Sequence, residues 1–340
     1  MSKHPRIHFR KGEHKRFKAG HPWAFSNEID MDPATKALPA GSVVTITDAG
    51  GELLGTAHFN AHTLIAARLL TKEADAAIDA RFFAERLRAA KLLRDRLFAK
   101  PFYRLVHAEA DGLPGLIVDR FDDIAVVQPN TAGMNAALAE ITAALKSLGM
   151  KTVILRGDSA ARGLEGLKAE TQVLEGTLDG VTAVEEGGTT FYADLVSGQK
   201  TGWFFDQRDN RAFMASLARD LKVLDLYTHT GGFGIAASKA GAAHVTMVDS
   251  SQPALGLAVK AAEGLRVTFE RKEVFPYLEQ AQGKTWDIVI ADPPAFVKSR
   301  KDLKAGLQGY RKLARLCAGV TAPGGFLFIA SCSHNAPVAE

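Results

Sequence analysis

Two hydrophobic periods alternate along the chain. Within residues 1–72 the apolar positions come in short strand-like runs at 7–9, 42–47, 53–57 and 64–70, with Gly50-Gly51 as a hairpin signal, which predicts a small β-rich module. From 74 to 100 the spacing changes, and Ile78, Phe82, Leu87, Ala90 and Leu97 can share one side of a helix. The Arg and Lys around that side read as a solvated face. Residues 101–190 predict an α+β segment, with strands at 103–107, 116–121, 124–128, 153–156 and 181–184 and a helix over 135–148. Here Asp111 and Asp119 suit turn capping as well as chemistry.

The third region has the clearest pattern. A helix at 211–221 leads into an apolar strand at 223–227, and Gly231, Gly232 and Gly234 follow as a tight turn. A helix over 233–239 and a second buried strand at 243–248, ending on Asp249, complete a βαβ unit of the kind that binds adenosine ligands. Glycines let the backbone approach a ligand, a helix N-terminus offers N–H groups, and an acid after the second strand can accept ribose hydroxyls. Gly232-x-Gly234-x-x-Ala237 also fits a relaxed dinucleotide fingerprint, so the unit alone does not name the ligand.

Two further strands decide the chemistry. Residues 286–291 run into Asp292-Pro293-Pro294-Ala295-Phe296, and 326–330, entered from a turn at Pro323-Gly324-Gly325, run into Ser331-Cys332-Ser333. In a doubly wound sheet the carboxyl ends of the strands line the ligand crevice, so Asp292 and Cys332 are expected to face it together. A thiolate adding to C6 of a pyrimidine makes C5 nucleophilic enough to attack an electrophilic methyl, and a carboxylate can hold the ring's N3 and exocyclic edge. Cys317 falls on the apolar side of a helix over 302–320 with Leu303, Leu307, Leu313 and Leu316, and is expected to be structural. The segment 198–208, with Trp203, Phe204 and Phe205, suits either a lid over the ligand or simple aromatic packing.

Composition narrows the class. A chain of 340 residues with 46% hydrophobic and 24% charged residues suits two or three globular domains. No apolar run reaches the roughly 18 residues of a membrane span, and the basic N-terminus lacks a signal peptide's apolar core, so a cytoplasmic protein with no membrane partner is expected. Two cysteines are too few for a disulfide framework and too widely spaced for a CxxC metal site, and no metal is expected. The net charge of +4 is uneven: residues 1–20 carry seven Lys and Arg against Glu13, a local charge of +6 that leaves −2 for the rest. With Trp23 and Phe25 nearby, a basic end suits RNA, where rings stack on bases and cations hold phosphates; the two rings also suit the module's own core.

Residues 110–121 (ADGLPGLIVDRF), Gln199-Lys200-Thr201-Gly202 with Asp206-Gln207-Arg208, Thr230-Gly231-Gly232-Phe233, Asp292-Pro293-Pro294-Ala295-Phe296 and Ser331-Cys332-Ser333 together resemble a known family. It is that of the class I S-adenosylmethionine-dependent methyltransferases of the RlmI type, large-subunit rRNA cytosine-C5 methyltransferases with an N-terminal PUA domain. The resemblance implies a PUA-like RNA-binding domain at 1–72, an α+β linking domain at 74–188 and a Rossmann-like catalytic domain at 190–340. It implies S-adenosylmethionine as cofactor, held by Asp225, Tyr227, Thr228, Gly231, Asp249, Ser250, Glu273 and Val274 with Gln207 and Arg208. Cys332 would be the nucleophile and Asp292 would stand at the substrate. Pro293, Pro294, Phe296, Lys200, Arg10, Lys11, Lys15 and Arg16 would bind large-subunit rRNA, and a homodimer is compatible with the pattern. The chain departs from the family in a shorter stretch between Asp249 and Glu273, and in stopping where the family continues into a helix and a closing hairpin. A sheet without those strands is expected to expose an edge. Three other readings stand beside this one: methylation of an exocyclic guanine or adenine amine, for which no thiol is required, a non-catalytic RNA-binding ribosome-assembly factor, and, weakest, a nicotinamide dehydrogenase.

Overall fold

The computed structural model describes residues 3–198, 201–333 and 335–336. It divides into two compact units, Met1–Gly180 with Asp194–Trp203, and Val181–Ala193 with Phe204–Glu340.

The first unit holds two five-stranded sheets. In the N-terminal one, β1 (Arg6–His8), β2 (Trp23–Phe25), β3 (Ser42–Thr47), β4 (Leu53–Phe59) and β5 (Ile65–Thr71) lie in the order β1-β3-β4-β5-β2. Every pair but β1–β3 is antiparallel. Ile7, Phe9, Phe17, Ala24, Val44, Ile46 and Phe59 fill its core. Because side chains alternate across a strand, burying Ala24 turns Trp23 and Phe25 to the other face. These two rings are therefore half-buried rather than core. Trp23 donates through Nε1 to Glu109 at 2.7 Å, and the Arg16 guanidinium lies 4.6 Å from the Phe25 ring centre.

The second sheet follows the order β10-β9-β8-β7-β6, from β6 (Phe102–His107), β7 (Leu116–Phe121), β8 (Ile124–Pro129), β9 (Thr152–Arg156) and β10 (Thr171–Glu175). The helices Ala80–Leu97 and Leu138–Ser147 pack apolar residues, among them Phe83, Leu87, Ile141 and Leu145, into one core with Leu105, Val118 and Val127. The helix expected over 135–148 is two helices, Ala132–Ala136 and Leu138–Ser147, that meet at Ala137. Nor is the basic face of Ala80–Leu97 only solvated. Arg86 donates to the Leu70 carbonyl, and Arg94 grips both oxygens of Asp111. Asp119, fully buried, accepts from Arg104 at 2.9 and 3.1 Å and from the Thr201 hydroxyl at 2.6 Å. Both acids of the 110–121 motif thus hold this sheet together.

The second unit contains an antiparallel hairpin of β11 (Thr182–Glu186) and β12 (Thr189–Ala193), and a parallel sheet of β13 (Lys222–Leu226), β14 (His244–Asp249), β15 (Val267–Arg271), β16 (Trp286–Ala291) and β17 (Thr321–Ile329). Its order is β15-β14-β13-β16-β17. Mostly apolar runs are what a parallel sheet buried on both faces demands, and β13, β14 and β16 have them. The hairpin sits with this unit rather than with the preceding region. Glu186 pairs with Arg211 at 2.6 Å and with Arg208 at 3.3 Å, and Lys260 caps the Tyr192 ring at 4.0 Å. The Pro323-Gly324-Gly325 turn is absorbed into β17 as a bulge: Trp286 pairs with Thr321, and Ile288 already pairs with Phe326. Gly324 adopts φ +79°, which a bulge of this kind needs. β17 is an edge strand, and its Phe326 and Leu327 are 46% and 40% exposed.

Candidate active site at the carboxyl ends of the parallel strands

Strand order reverses between β13 and β16, which places the ligand crevice of such a sheet outside the carboxyl ends of those two strands. The loop that leaves β13 is strained there. Tyr227 and His229 have φ of 59° and 51°, and Gly231 has 86°. Left-handed geometry at two non-glycine residues costs about 1–3 kcal/mol each and persists where the surroundings impose it, commonly at functional sites. The expectation that the glycines leave room for a ligand changes in detail. Gly231 supplies a left-handed turn, and a Cβ at Gly234 would press against Met247 of β14 and the Asp225 carboxylate.

Four acids stand at successive strand ends. Asp225, in β13, is buried and accepts from the Thr228 hydroxyl and, at 2.8 Å, from the Gly234 N–H. Burial pushes its carboxyl up to about 7, the charges of Asp292 and Asp249 act in the same direction, and the two hydrogen bonds oppose them. Asp249 closes β14 and accepts the N–H groups of His229 and Ser251, each at 2.8 Å, so both oxygens are oriented yet keep lone pairs for a further donor. Ser250 beside it is exposed. Glu273 lies two residues beyond β15, exposed, and Val274 behind it is buried. Asp292 is the first residue after β16. Tyr227 lies among these groups: burial raises its hydroxyl first, and Cys317, Glu273 and Asp249 add to the shift.

The fifth strand end brings the thiol. Cys332 is exposed, with Sγ 3.9 Å from the Pro293 carbonyl, so the two motifs expected to share a crevice are neighbours. Ser333 beside it is buried, accepts the Val297 N–H at 3.1 Å and lies 2.8 Å from the Tyr310 hydroxyl. Ser331 donates to the same hydroxyl at 3.1 Å, and the rings of Tyr310 and Phe296 are 4.6 Å apart. Tyr310 therefore ties the end of β17 to the Asp292–Phe296 turn. It escaped the sequence reading although it lies three residues after Leu307 and seven before Cys317, on the helix's apolar stripe. Cys317 is fully buried in the helix Leu303–Val320, and burial pushes its thiol up to about 12.

The other expected residues divide. Phe204 meets His229 edge to face at 5.5 Å, which brings the start of the Phe204–Arg208 segment against the strained loop. The Gln207 side chain accepts from Asn210, and Arg208 is half-buried against Glu186. Burial disfavours the charge on Arg208, an effect that Glu186 opposes. Trp203 is buried in the first unit, so its ring packs rather than covers a ligand. Lys200 lies outside the described residues. In the N-terminal module Arg10, Lys11 and Lys15 are exposed. Arg16 is half-buried: it pairs with Glu28 at 3.0 Å and covers Phe25, so it also braces the module.

Comparison with known proteins agrees with this geometry. Residues 7–72 match the PUA-like domain family and residues 136–339 match the S-adenosylmethionine-dependent methyltransferase family. The chain belongs to the S-adenosylmethionine-dependent methyltransferases. A ribosomal RNA large subunit methyltransferase I from Photobacterium profundum is 37% identical over 339 residues, covering 96% of this chain and 85% of that protein. One of the same name from Aliivibrio fischeri is 38% identical with the same coverage. Among solved structures, a putative SAM-dependent methyltransferase from Streptococcus mutans superposes with a TM-score of 0.80 at 21% identity, over 98% of this chain and 88% of that one. A putative methyltransferase complexed with SAH gives 0.81, also at 21% identity, with the same coverage. These two likenesses concern the fold.

The rim suits this methyltransferase's cofactor. S-adenosylmethionine carries a sulfonium and an ammonium, and the rim presents carboxylates held by N–H and hydroxyl groups, with the Asp225 carboxyl raised by burial and by its acidic neighbours. A cationic ligand relieves such a cluster.

Proposed function

We propose that this methyltransferase forms 5-methylcytosine in large-subunit ribosomal RNA, in the cytoplasm, through a covalent bond between Cys332 and C6 of the target cytosine. The observation that carries the reading is the exposed Cys332 Sγ at 3.9 Å from the Pro293 carbonyl, on the turn that begins with Asp292. The names of the relatives and the PUA-like domain support RNA as the substrate. Asp249 with Ser250 would hold the cofactor's ribose, and Glu273 with Val274 its adenine. Asp225, Tyr227, Thr228 and Gly231 would hold the methionine end, with Gln207 and Arg208 alongside. Pro293, Pro294 and Phe296 would clamp the cytosine, while Arg10, Lys11, Lys15 and Lys200 hold the RNA strand.

Bound S-adenosylmethionine supplies an electrophilic methyl group. The chain's part begins when the Cys332 thiolate adds to C6, which places the ring's electron pair on C5, the carbon that becomes methylated. Asp292, protonated, donates at the N3 edge and stabilises the electron-rich ring. A base then takes the C5 proton, the C5–H electrons restore the C5–C6 double bond, and the thiolate leaves.

Cys332→Ala is the direct test. Turnover is expected to fall by about four orders of magnitude or more, with S-adenosylmethionine affinity nearly intact. Full activity, or methyl recovered on a purine nitrogen, would contradict the reading.

A further inference from the structure

Next to the Asp292–Phe296 turn lies an open groove of about 520 Å³ that shares Pro294 and Phe296 with the cytosine clamp proposed above and extends beyond it to Phe275 and Lys298. One wall is Pro294, Ala295, Phe296 and Phe275; the other is the start of the helix Leu303–Val320, at Ala305, Gly306 and Gly309. Gly306 and Gly309 let the helix pack directly against Phe296, where a Cβ at Gly309 would lie 3.2 Å from the ring, and the groove opens beside this contact. The Phe275 and Phe296 ring centres are 6.1 Å apart with planes 33° from each other. The volume is in the range of clefts that bind small planar ligands, roughly 300–1,000 Å³.

Lys298 lines this groove, and Arg300, Lys301 and Lys304 flank its lining residues Asp302 and Ala305 in sequence. Lys298, Arg300, Lys301 and Lys304 are all exposed, and none has an ion-pair partner among the described residues. Asp302, the one acid among them, is occupied: its carboxylate accepts from the Ser299 N–H at 3.0 Å and from its hydroxyl at 2.8 Å, closing a capping box. Two other lysines of this unit are paired, Lys312 with Glu279 and Lys272 with Glu270. Aromatic walls with unanswered cations at the mouth form the pattern that binds single-stranded nucleic acid: bases stack on rings and phosphates meet the charges.

We propose that the groove takes a nucleotide that flanks the methylated one, its base against Phe275, beside the Phe296 that clamps the target cytosine, and the adjoining phosphates on Lys298, Arg300, Lys301 and Lys304. The inference rests on RNA being the substrate, but not on Cys332 being the nucleophile. Its position beside the Asp-Pro-Pro turn makes it a determinant of sequence context, since a stacked neighbour fixes which base reaches the thiol.

The test is steady-state methylation of large-subunit rRNA prepared from cells that lack the enzyme. Charge reversal at all four positions (K298E, R300E, K301E, K304E) is expected to raise KM for this RNA tenfold or more, with a smaller effect on kcat. The slope of log affinity against log salt should drop by about 0.7 per cation removed. Phe275→Ala should raise KM about tenfold, as loss of one base–aromatic stack does. Lys239→Glu with Lys284→Glu, reversals at the opposite, amino-terminal end of the sheet, should leave KM within about twofold. An unchanged KM and salt slope in the quadruple variant would overturn the proposal, including the case where the groove takes a protein instead. Should the quadruple variant shift KM while Cys332→Ala stays active, the groove stands and the nucleophile assignment falls.

Discussion

The two units handle their acids in opposite ways. In the first, acids of the 110–121 motif and its neighbours meet guanidinium groups: Asp111 meets Arg94, Asp119 meets Arg104, and Glu109 and Glu165 share Arg68. At the rim of the parallel sheet, Asp225 and Asp249 are held by N–H and hydroxyl groups, with further acids as neighbours. Removing one partner of a buried ion pair strands the other, so such pairs are costly to break. Acids clustered at one rim repel one another, and a cationic ligand can relieve that repulsion. The first arrangement suits stability, and the second suits the cofactor-binding role proposed for it, although both sit in motifs that the sequence marks equally.

Five substitutions probe this contrast. The largest effect is expected for Asp292→Asn: turnover falls by about 10²–10³-fold through loss of the carboxyl at the substrate, while the melting temperature holds. A lower melting temperature with full activity would place Asp292 with the structural acids. Asp119→Ala should do the reverse. It leaves Arg104 and Thr201 without their acceptor and lowers unfolding free energy by about 2–4 kcal/mol, read by denaturant titration, with kcat preserved in the folded fraction.

Tyr310→Phe keeps the ring against Phe296 but removes the hydroxyl shared by Ser331 and Ser333. A kcat loss of about tenfold is expected, with unchanged cofactor affinity. Ser333→Ala should give a similar loss, and the double variant little more, because the groups act as one clip. Additive losses would show that they act separately.

The smallest effect concerns pH. The Asp225 carboxyl is raised from an ordinary 3.8 to about 7 in the folded protein, so the folded state binds this proton more tightly than the unfolded state does. Its contribution to stability is fully present below about pH 4 and is lost as pH rises through about 7. Cofactor binding has the opposite sign, since a cation prefers the ionised acid. Calorimetry should find S-adenosylmethionine affinity rising a few-fold from pH 6 to 8, and Asp225→Asn should flatten that rise. A pH-independent affinity in the native protein would remove Asp225 from the binding cluster.

The central strands were legible because β13, β14 and β16 are buried on both faces and so are written as mostly apolar runs, interrupted by Asp225 and Thr246 and bounded by glycine, acid or proline. β10 was not: its residues 171–173 are exposed, and no alternation marks them. The break at Ala137 lies inside an apolar helical pattern and has no glycine or proline to announce it. Placing Asp292 and Cys332 on one rim followed from the topology of parallel strands. The pairing of Arg16 with Glu28 was not legible, because Glu28 is twelve residues away and reaches it only through the folded turn. Tyr310 was visible on its stripe, yet its role depends on two serines more than twenty residues later, a pairing that only the fold reveals.

A covalent trap is the sharpest test of the thiol's role. RNA carrying 5-fluorocytidine at the target position has no C5 proton to lose, so an enzyme that adds through Cys332 should stall after methylation as an RNA–protein adduct. Digestion and mass spectrometry should then find the modified nucleotide on the peptide containing Cys332. The adduct should be absent with Cys332→Ala and require S-adenosylmethionine to persist. Complete turnover of native RNA by the same preparation, with no adduct on Cys332, would contradict the covalent mechanism.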